Sequence, residues 1–127
     1  DRFLMQIGTL SGNPVAAAAG LKSLEILRRP GTYEHVFRVG TAMMEGIAGM
    51  LREAGLPAQV IGAPVMFDVM FATGEIADYR TALRNDAVRA NGVLKSDGKS
   101  YVGPCHTDAD VAAVLRAFRA GVEAVAR

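Results

Sequence analysis

The residues best placed to do chemistry stand near the front of the chain, in Gly8-Thr9-Leu10-Ser11-Gly12-Asn13-Pro14. Two glycines free the backbone beside the hydroxyls of Thr9 and Ser11. Asn13 followed by Pro14 reads as a helix cap with proline at the first helical position. Free N–H groups and short hydroxyls gathered at a helix start can hold a phosphate. The same composition also makes an ordinary loop. The stretch is not a Walker loop, because no Gly-Lys-Ser or Gly-Lys-Thr closes it, and it lacks the Gly-x-Gly-x-x-Gly dinucleotide pattern.

The remaining reactive side chains form no catalytic constellation. Lys22 sits in an apolar stretch but has Glu25 three residues on, which offers a surface ion pair rather than the desolvation a covalent lysine needs. His35 has no histidine, cysteine or paired carboxylate at metal-ligand spacing, so a capping or surface role is expected. Asp68 interrupts an apolar run with no second carboxylate patterned to it, which suits a hydrogen-bonded structural role. Cys105-His106 are adjacent, too few for a structural zinc and without assignable nucleophile–base geometry. A buried thiol beside a histidine that fastens a strand end to the last helix is the plainer reading. No catalytic residue and no metal site is expected within this chain.

Composition narrows the class these residues serve. The 127 residues are half apolar, one domain's worth of material with enough for a core. Fourteen Lys and Arg against thirteen Asp and Glu leave a net charge of +1, which gives no electrostatic case for nucleic acid or an anionic membrane. Arg80 and Arg84 lack the dense basic and aromatic interleaving of a nucleic-acid groove. A single cysteine excludes an internal disulfide framework and suits a reducing compartment. No apolar run reaches the roughly 20 residues a bilayer span needs. The chain starts at Asp1 without a methionine, and a missing N-terminal part is one reading of that.

The elements that must position the loop follow from periodicity. A first helix runs from Pro14 to about Arg28, rich in alanine, with Leu21, Leu24 and Leu27 on its apolar side, and Pro30-Gly31 stops it. A second starts with Thr32 as N-cap and carries Val36, Val39, Met43, Ile47 and Met50 at spacings of three and four, a core stripe. Its Gly40, Gly46 and Gly49 permit close packing against the first helix or a partner chain. Residues 58–61 and 65–71 read as strands, with Gly62-Ala63-Pro64 as the turn between them. Val65, Phe67, Val69 and Phe71 share one face of the second, while Met66 and Met70 make the other face apolar too, so it should lie centrally in the sheet. A third helix is expected from Ile76 to about Ala90, ended by Asn91-Gly92, then a short extended piece at Val93-Leu94-Lys95, a turn at Ser96-Asp97-Gly98-Lys99 and a short strand over residues 100–103. A last helix is capped by Thr107 with Asp110 as the acidic member of a capping box, and its stripe is Val111, Val114, Leu115, Phe118, Val122 and Val125. The order is loop, helix, helix, strand, strand, helix, strand, helix. It specifies an α+β fold with a small, mainly antiparallel sheet of three to four strands packed with helices.

Several of these landmarks, taken in order, resemble a known family. The Gly8–Pro14 loop followed by Ala17 to Gly20, then Pro30-Gly31-Thr32-Tyr33, Met66-Phe67 and His106-Thr107-Asp108-Ala109-Asp110-Val111, resemble the C-terminal part of class III, pyridoxal-phosphate-dependent aminotransferases of fold type I. The resemblance is strongest to the glutamate-1-semialdehyde 2,1-aminomutase branch. It implies that residues 1–13 end a large domain and carry the cofactor-phosphate loop, that 14–31 form a linker helix, and that 32–127 form a C-terminal small domain.

It further implies a homodimer with active sites at the subunit interface, pyridoxal 5'-phosphate as cofactor, a small amino-acid or amine substrate, and a cytoplasmic setting. Gly8 and Thr9 are then the cofactor-binding residues, with the Thr9 hydroxyl reaching a phosphate held mainly by the neighbouring subunit. The family's Schiff-base lysine and its pyridine-nitrogen carboxylate lie upstream of the loop, so Lys22, Lys95 and Lys99 are on the wrong side of it. The isolated chain is accordingly expected to be inactive. Ile7 stands where many members have a smaller residue, and the stretch from Asn85 to Tyr101 is shorter than usual. No arginine between Tyr101 and Thr107 matches the substrate-carboxylate arginine of many ω-amino acid transaminases. The alternatives are a class III ω-amino acid transaminase or racemase domain, a non-catalytic interaction module, and an enzyme using Cys105-His106.

Overall fold

The structure, a computed structural model, describes residues 8–72, 87–95 and 99–126, which divide between two compact units, Asp1–Thr32 and Tyr33–Arg127. The expectations for the leading segment 1–7, for most of the third helix (Ile76, Asp78, Tyr79, Arg80, Leu83, Arg84, Asp86) and for the turn at 96–98 lie outside the described residues.

The first unit is one helix and its entering loop. Alanine-rich Pro14–Leu27 forms α1, with Asn13 as N-cap and Pro14 in the first turn. Ser23 bonds back to the Ala19 carbonyl at 2.9 Å, and Gly31, at φ 81°, lets the chain leave. The apolar side expected for α1 exists but is not buried: no α1 residue falls in the buried class, and Leu21 is 69% exposed.

The second unit holds the core. Thr32–Glu53 forms α2, and Val36, Val39, Met43, Ile47 and Met50 are all buried, as their spacing requires. Thr32 is not the cap expected of it. It is already helical, and its hydroxyl donates to the Ile26 carbonyl at 3.2 Å instead of accepting from α2. Gly55, at φ 64°, ends α2 with the paired bonds of a Schellman motif, Leu56 N–H to Leu51 O and Gly55 N–H to Arg52 O, both 3.0 Å. Two of the three helix glycines meet neighbours within their own unit. Gly40 lets the Pro64 turn approach, Gly46 faces the Leu115 side chain, and Gly49 meets nothing within 4 Å.

Ala58–Ala63 (β1) and Met66–Phe71 (β2) pair antiparallel from Ala58↔Phe71 to Ala63↔Met66, joined by Pro64 and Val65. β1 is longer than residues 58–61 because the chain turns at Pro64, not at Gly62. Ser100–Tyr101 (β3) pairs with the other edge of β2 through Met66↔Tyr101 and Phe67↔Ser100, giving the order β1-β2-β3 with β2 central. β3 is shorter than the 100–103 expected, although Val102 N–H still reaches Val65 O at 3.1 Å. Phe67, Val69 and Phe71 are buried, and Met66 and Met70 lie exposed on the opposite face.

Ala87–Ala90 (α3) ends at Asn91-Gly92, again with Schellman bonds from Val93 to Val88 O and from Gly92 to Arg89 O. It packs on Asp108–Val125 (α4), which buries Val111, Ala117, Phe118 and Val122. The fold is therefore a small α+β domain with a three-stranded antiparallel sheet packed against helices. One cluster from α2, β2, Val88, Val102 and α4 forms its core. Among the described residues no helix is long and apolar enough to cross a membrane.

The capping box is complete. Thr107 Oγ1 accepts from Asp110 N–H at 3.4 Å, and the Asp110 carboxylate accepts from Thr107 N–H at 2.7 Å and from its hydroxyl at 2.8 Å. These bonds hold the Asp110 carboxyl below its ordinary value. A carboxyl depressed in the folded state stabilises above its unfolded pKa, about 3.9, and the contribution disappears as pH falls through the folded value. Denaturation of wild type and Asp110→Ala across pH should therefore show a stability difference that is full at pH 6 and shrinks below about pH 4. A pH-independent difference would refute the box.

The helix glycines give a second test by chemical denaturation. Gly40→Ala drives a methyl into the Pro64 carbonyl and should cost about 2 kcal/mol or more, whereas Gly49→Ala should stabilise by about 0.5–1 kcal/mol. Equal effects at the two positions would contradict the packing described.

Candidate functional site

The glycine-rich loop is held in shape by its own backbone. Gly8 O accepts the Ser11 N–H at 3.0 Å and Leu10 O accepts the Asn13 N–H at 3.1 Å, while Gly12 takes φ 79°. A Cβ at Gly8 would lie 2.7 Å from Ser11 Oγ, so a larger residue there would have to turn the Ser11 side chain aside. Gly8, Thr9, Leu10, Ser11 and Gly12 are all exposed. Among the described residues none hydrogen-bonds the Thr9 hydroxyl.

The start of α1 is not a cluster of free donors. The Asn13 side chain accepts from Val15 N–H at 2.9 Å and from Ala16 N–H at 3.2 Å, and Asn13 O takes the Ala17 N–H. Asn13 is the cap expected, but the N–H groups expected to be free are the ones it satisfies. A cap consumes the donors that would bind an anion. What the loop offers an oxyanion is the hydroxyl of Thr9 and the exposed backbone around it.

The other reactive residues are spoken for. Lys22 Nζ lies 2.8 Å from both Glu25 oxygens on the exposed side of α1. His35 Nε2 is 2.8 Å from His106 O, joining the first turn of α2 to the segment before α4, and Arg38 pairs with Asp108 at 2.6 Å beside it. The Arg38 guanidinium, by hydrogen bond and then by charge, lowers the Asp108 carboxyl from its usual range.

His106 Nδ1 lies 3.1 Å from the Gly103 N–H and 3.2 Å from the Gly103 carbonyl, and Cys105 Sγ sits 3.8 Å away. Cys105 is exposed, not the buried thiol expected. As acceptor or as donor that nitrogen is engaged by the Gly103 backbone, so the thiol has no general base at that atom. Among the described residues no group of three or more His, Cys, Asp and Glu could hold a metal.

One pairing had no signal in the sequence. Lys95, only 7% exposed, lies 3.6 Å from Asp68 Oδ1, which also accepts the Val69 N–H at 2.8 Å. Asp68 thus has a structural setting of the kind expected, but its cationic neighbour comes from 27 residues away on the extended piece after α3. The neighbouring Leu94 is 85% exposed, the reverse of what hydropathy alone would assign to the two.

No family model matches the chain. It is 32% identical over 128 residues to glutamate-1-semialdehyde 2,1-aminomutase of Desulfitobacterium hafniense (strain Y51), covering 91% of this chain and 30% of that protein. Among solved structures, a transaminase with PLP bound shares its fold with a TM-score of 0.83 and 25% identity, over 96% of this chain and 30% of the other. An omega-transaminase from Sphaerobacter thermophilus gives a TM-score of 0.76 at 24% identity, over 94% and 30%. The chain spans about 30% of the length of these relatives. Over that span it is homologous to the fold type I, pyridoxal-phosphate-dependent aminotransferases and to glutamate-1-semialdehyde 2,1-aminomutase among them.

Proposed function

We propose that this chain is the C-terminal portion of a pyridoxal-phosphate-dependent aminotransferase or aminomutase, of the glutamate-1-semialdehyde 2,1-aminomutase kind. The observation that carries the reading is the 32% identity to such an aminomutase across 91% of the chain, supported by a fold shared at TM-score 0.83 with a PLP-bound transaminase. In this assignment residues 1–13 close the large domain and carry the loop, 14–31 link, and 32–127 form the small domain. The working enzyme is a cytoplasmic homodimer acting on a small amino acid or amine.

Pyridoxal phosphate, when bound, supplies an electron sink for moving an amino group. The residues present fit its phosphate end. Thr9 offers an exposed hydroxyl that can donate to a phosphate oxygen, and Gly8 allows the tight turn that brings backbone close to an anion. Asn13 ties the loop to α1 and so fixes where the hydroxyl stands. Two of the described lysines are not arranged to carry the cofactor, since Lys22 is paired with Glu25 in solvent and Lys95 lies against Asp68.

Two measurements on the full-length polypeptide test this. It should show the near-visible absorbance of bound cofactor and catalyse cofactor-dependent amino transfer, while residues 8–127 expressed alone should do neither. A colourless full-length protein without that activity would sink the assignment. Thr9→Ala should weaken cofactor binding by about tenfold or more, the loss of one hydrogen bond to a charged group, measured by equilibrium titration of the apoprotein. Unchanged affinity would remove Thr9 from the site.

A further inference from the structure

Asn91-Gly92, which ends α3, is also the pairing in which an asparagine side chain is most open to attack by the backbone that follows it. Glycine has no side chain to shield its nitrogen, and its dihedrals are free. The chain has three asparagines, and Asn91 is the one followed by glycine. Asn13 precedes Pro14, whose nitrogen has no proton to give up, and Asn85 lies outside the described residues. Asn91 and Gly92 are both exposed, so water reaches them.

In that attack the Gly92 nitrogen loses its proton to solvent and bonds to Asn91 Cγ. The bond from Cγ to Nδ2 breaks, ammonia leaves, and a five-membered succinimide closes. Water then opens the ring at either carbonyl to an aspartyl or isoaspartyl residue. The sum is amide plus water to carboxylate plus ammonium, with nothing oxidised or reduced.

The folded turn holds both reacting groups elsewhere. Gly92 N–H donates to Arg89 O at 2.9 Å, and Asn91 Nδ2 donates to Ala87 O at 2.7 Å, back along the helix rather than towards the next residue. Asn91 N–H donates to the same Ala87 carbonyl at 3.2 Å, and Val93 N–H donates to the carbonyl of Val88, whose fully buried side chain anchors the turn in the core. We propose that Asn91 is a deamidation site gated by the end of α3: the amide converts when the turn opens, and the product keeps it open. A carboxylate cannot donate to Ala87 O, and it sets negative charge at the carbonyl end of a helix. The isoaspartyl form also lengthens the backbone by one carbon, which breaks the spacing of the Val93 bond. The proposal rests on neither the Gly8-Thr9 loop nor the cofactor.

The full-length polypeptide, incubated in mildly alkaline buffer both native and unfolded in guanidinium chloride, tests it through peptide mapping by mass spectrometry. Asn91 should convert in both states, with the native initial rate slower by about thirtyfold, the combined weight of two net hydrogen bonds. Val88→Ala loosens the anchor without touching either reacting residue. It should speed the native rate by about tenfold and leave the unfolded rate unchanged. Hydrogen exchange keeps the test open if that variant does not fold, since in Asn91→Asp the Gly92 and Val93 amides should exchange several-fold faster than in wild type. Equal native and unfolded rates, no conversion of Asn91 in the native chain, or a folded Val88→Ala chain that converts like wild type overturns the proposal. Amides of Asn91→Asp that exchange like wild type overturn it as well.

Discussion

The burial of one face of β2 is the constraint on which the rest of the small domain depends. Phe67 is 1% exposed and Val69 5%, and with Phe71 they form the floor on which the stripes of α2 and α4 meet. Fully burying a side chain of this size is worth about 1.5–3 kcal/mol, so these few residues contribute on the scale of a whole domain's net stability. Because side chains alternate along a strand, committing Phe67 inward sends Met66, Asp68 and Met70 to the other face. The register with β1 and β3 follows, since a slip of one residue would exchange the two faces.

That outward face explains the Asp68–Lys95 contact. A carboxylate in a half-buried strand position needs hydrogen bonds and a cation, and it has the Val69 N–H and the Lys95 ammonium. A lysine this buried needs a counter-charge even more. Removing one member of such a pair generally costs far more than the pair contributes, because the other is left buried and uncompensated. The pair therefore ties the extended piece after α3 to the centre of the sheet. With Lys95 held there, the neighbouring Leu94 is left exposed.

The two ends of the chain show one device used twice. Asn13 caps α1 and Thr107 caps α4, each consuming N–H groups that would otherwise be unsatisfied. At α4 the reciprocal Asp110 bond makes the cap a rigid corner, and His35 and Arg38 of α2 fasten the same corner from the other side. At α1 the cap fixes the loop but takes away the helix-start donors, leaving Thr9 and the neighbouring backbone as the groups open to a phosphate. Capping and anion binding compete for the same atoms, and here capping holds them.

Much of this was legible in the sequence because it is local. The spacing of Val36, Val39, Met43, Ile47 and Met50 specifies a helix face whatever it packs on. The alternation of residues 65–71 specifies a two-faced strand, and Asn13-Pro14 and Thr107-x-x-Asp110 specify helix starts through neighbouring atoms. The order of these landmarks was enough to point to the aminotransferase family. Other features depend on which distant groups arrive at the same place, and only the tertiary structure decided them. Thr32 turned from cap to donor because the Ile26 carbonyl lay within reach, Gly40 met the Pro64 turn, and Cys105 faced solvent beside a histidine already bonded to Gly103. Lys95 went inward and Leu94 outward because a carboxylate 27 residues earlier outweighed the hydropathy of either side chain. Periodicity and capping act within a few residues and are written in order along the chain; charge pairing and close packing act through space.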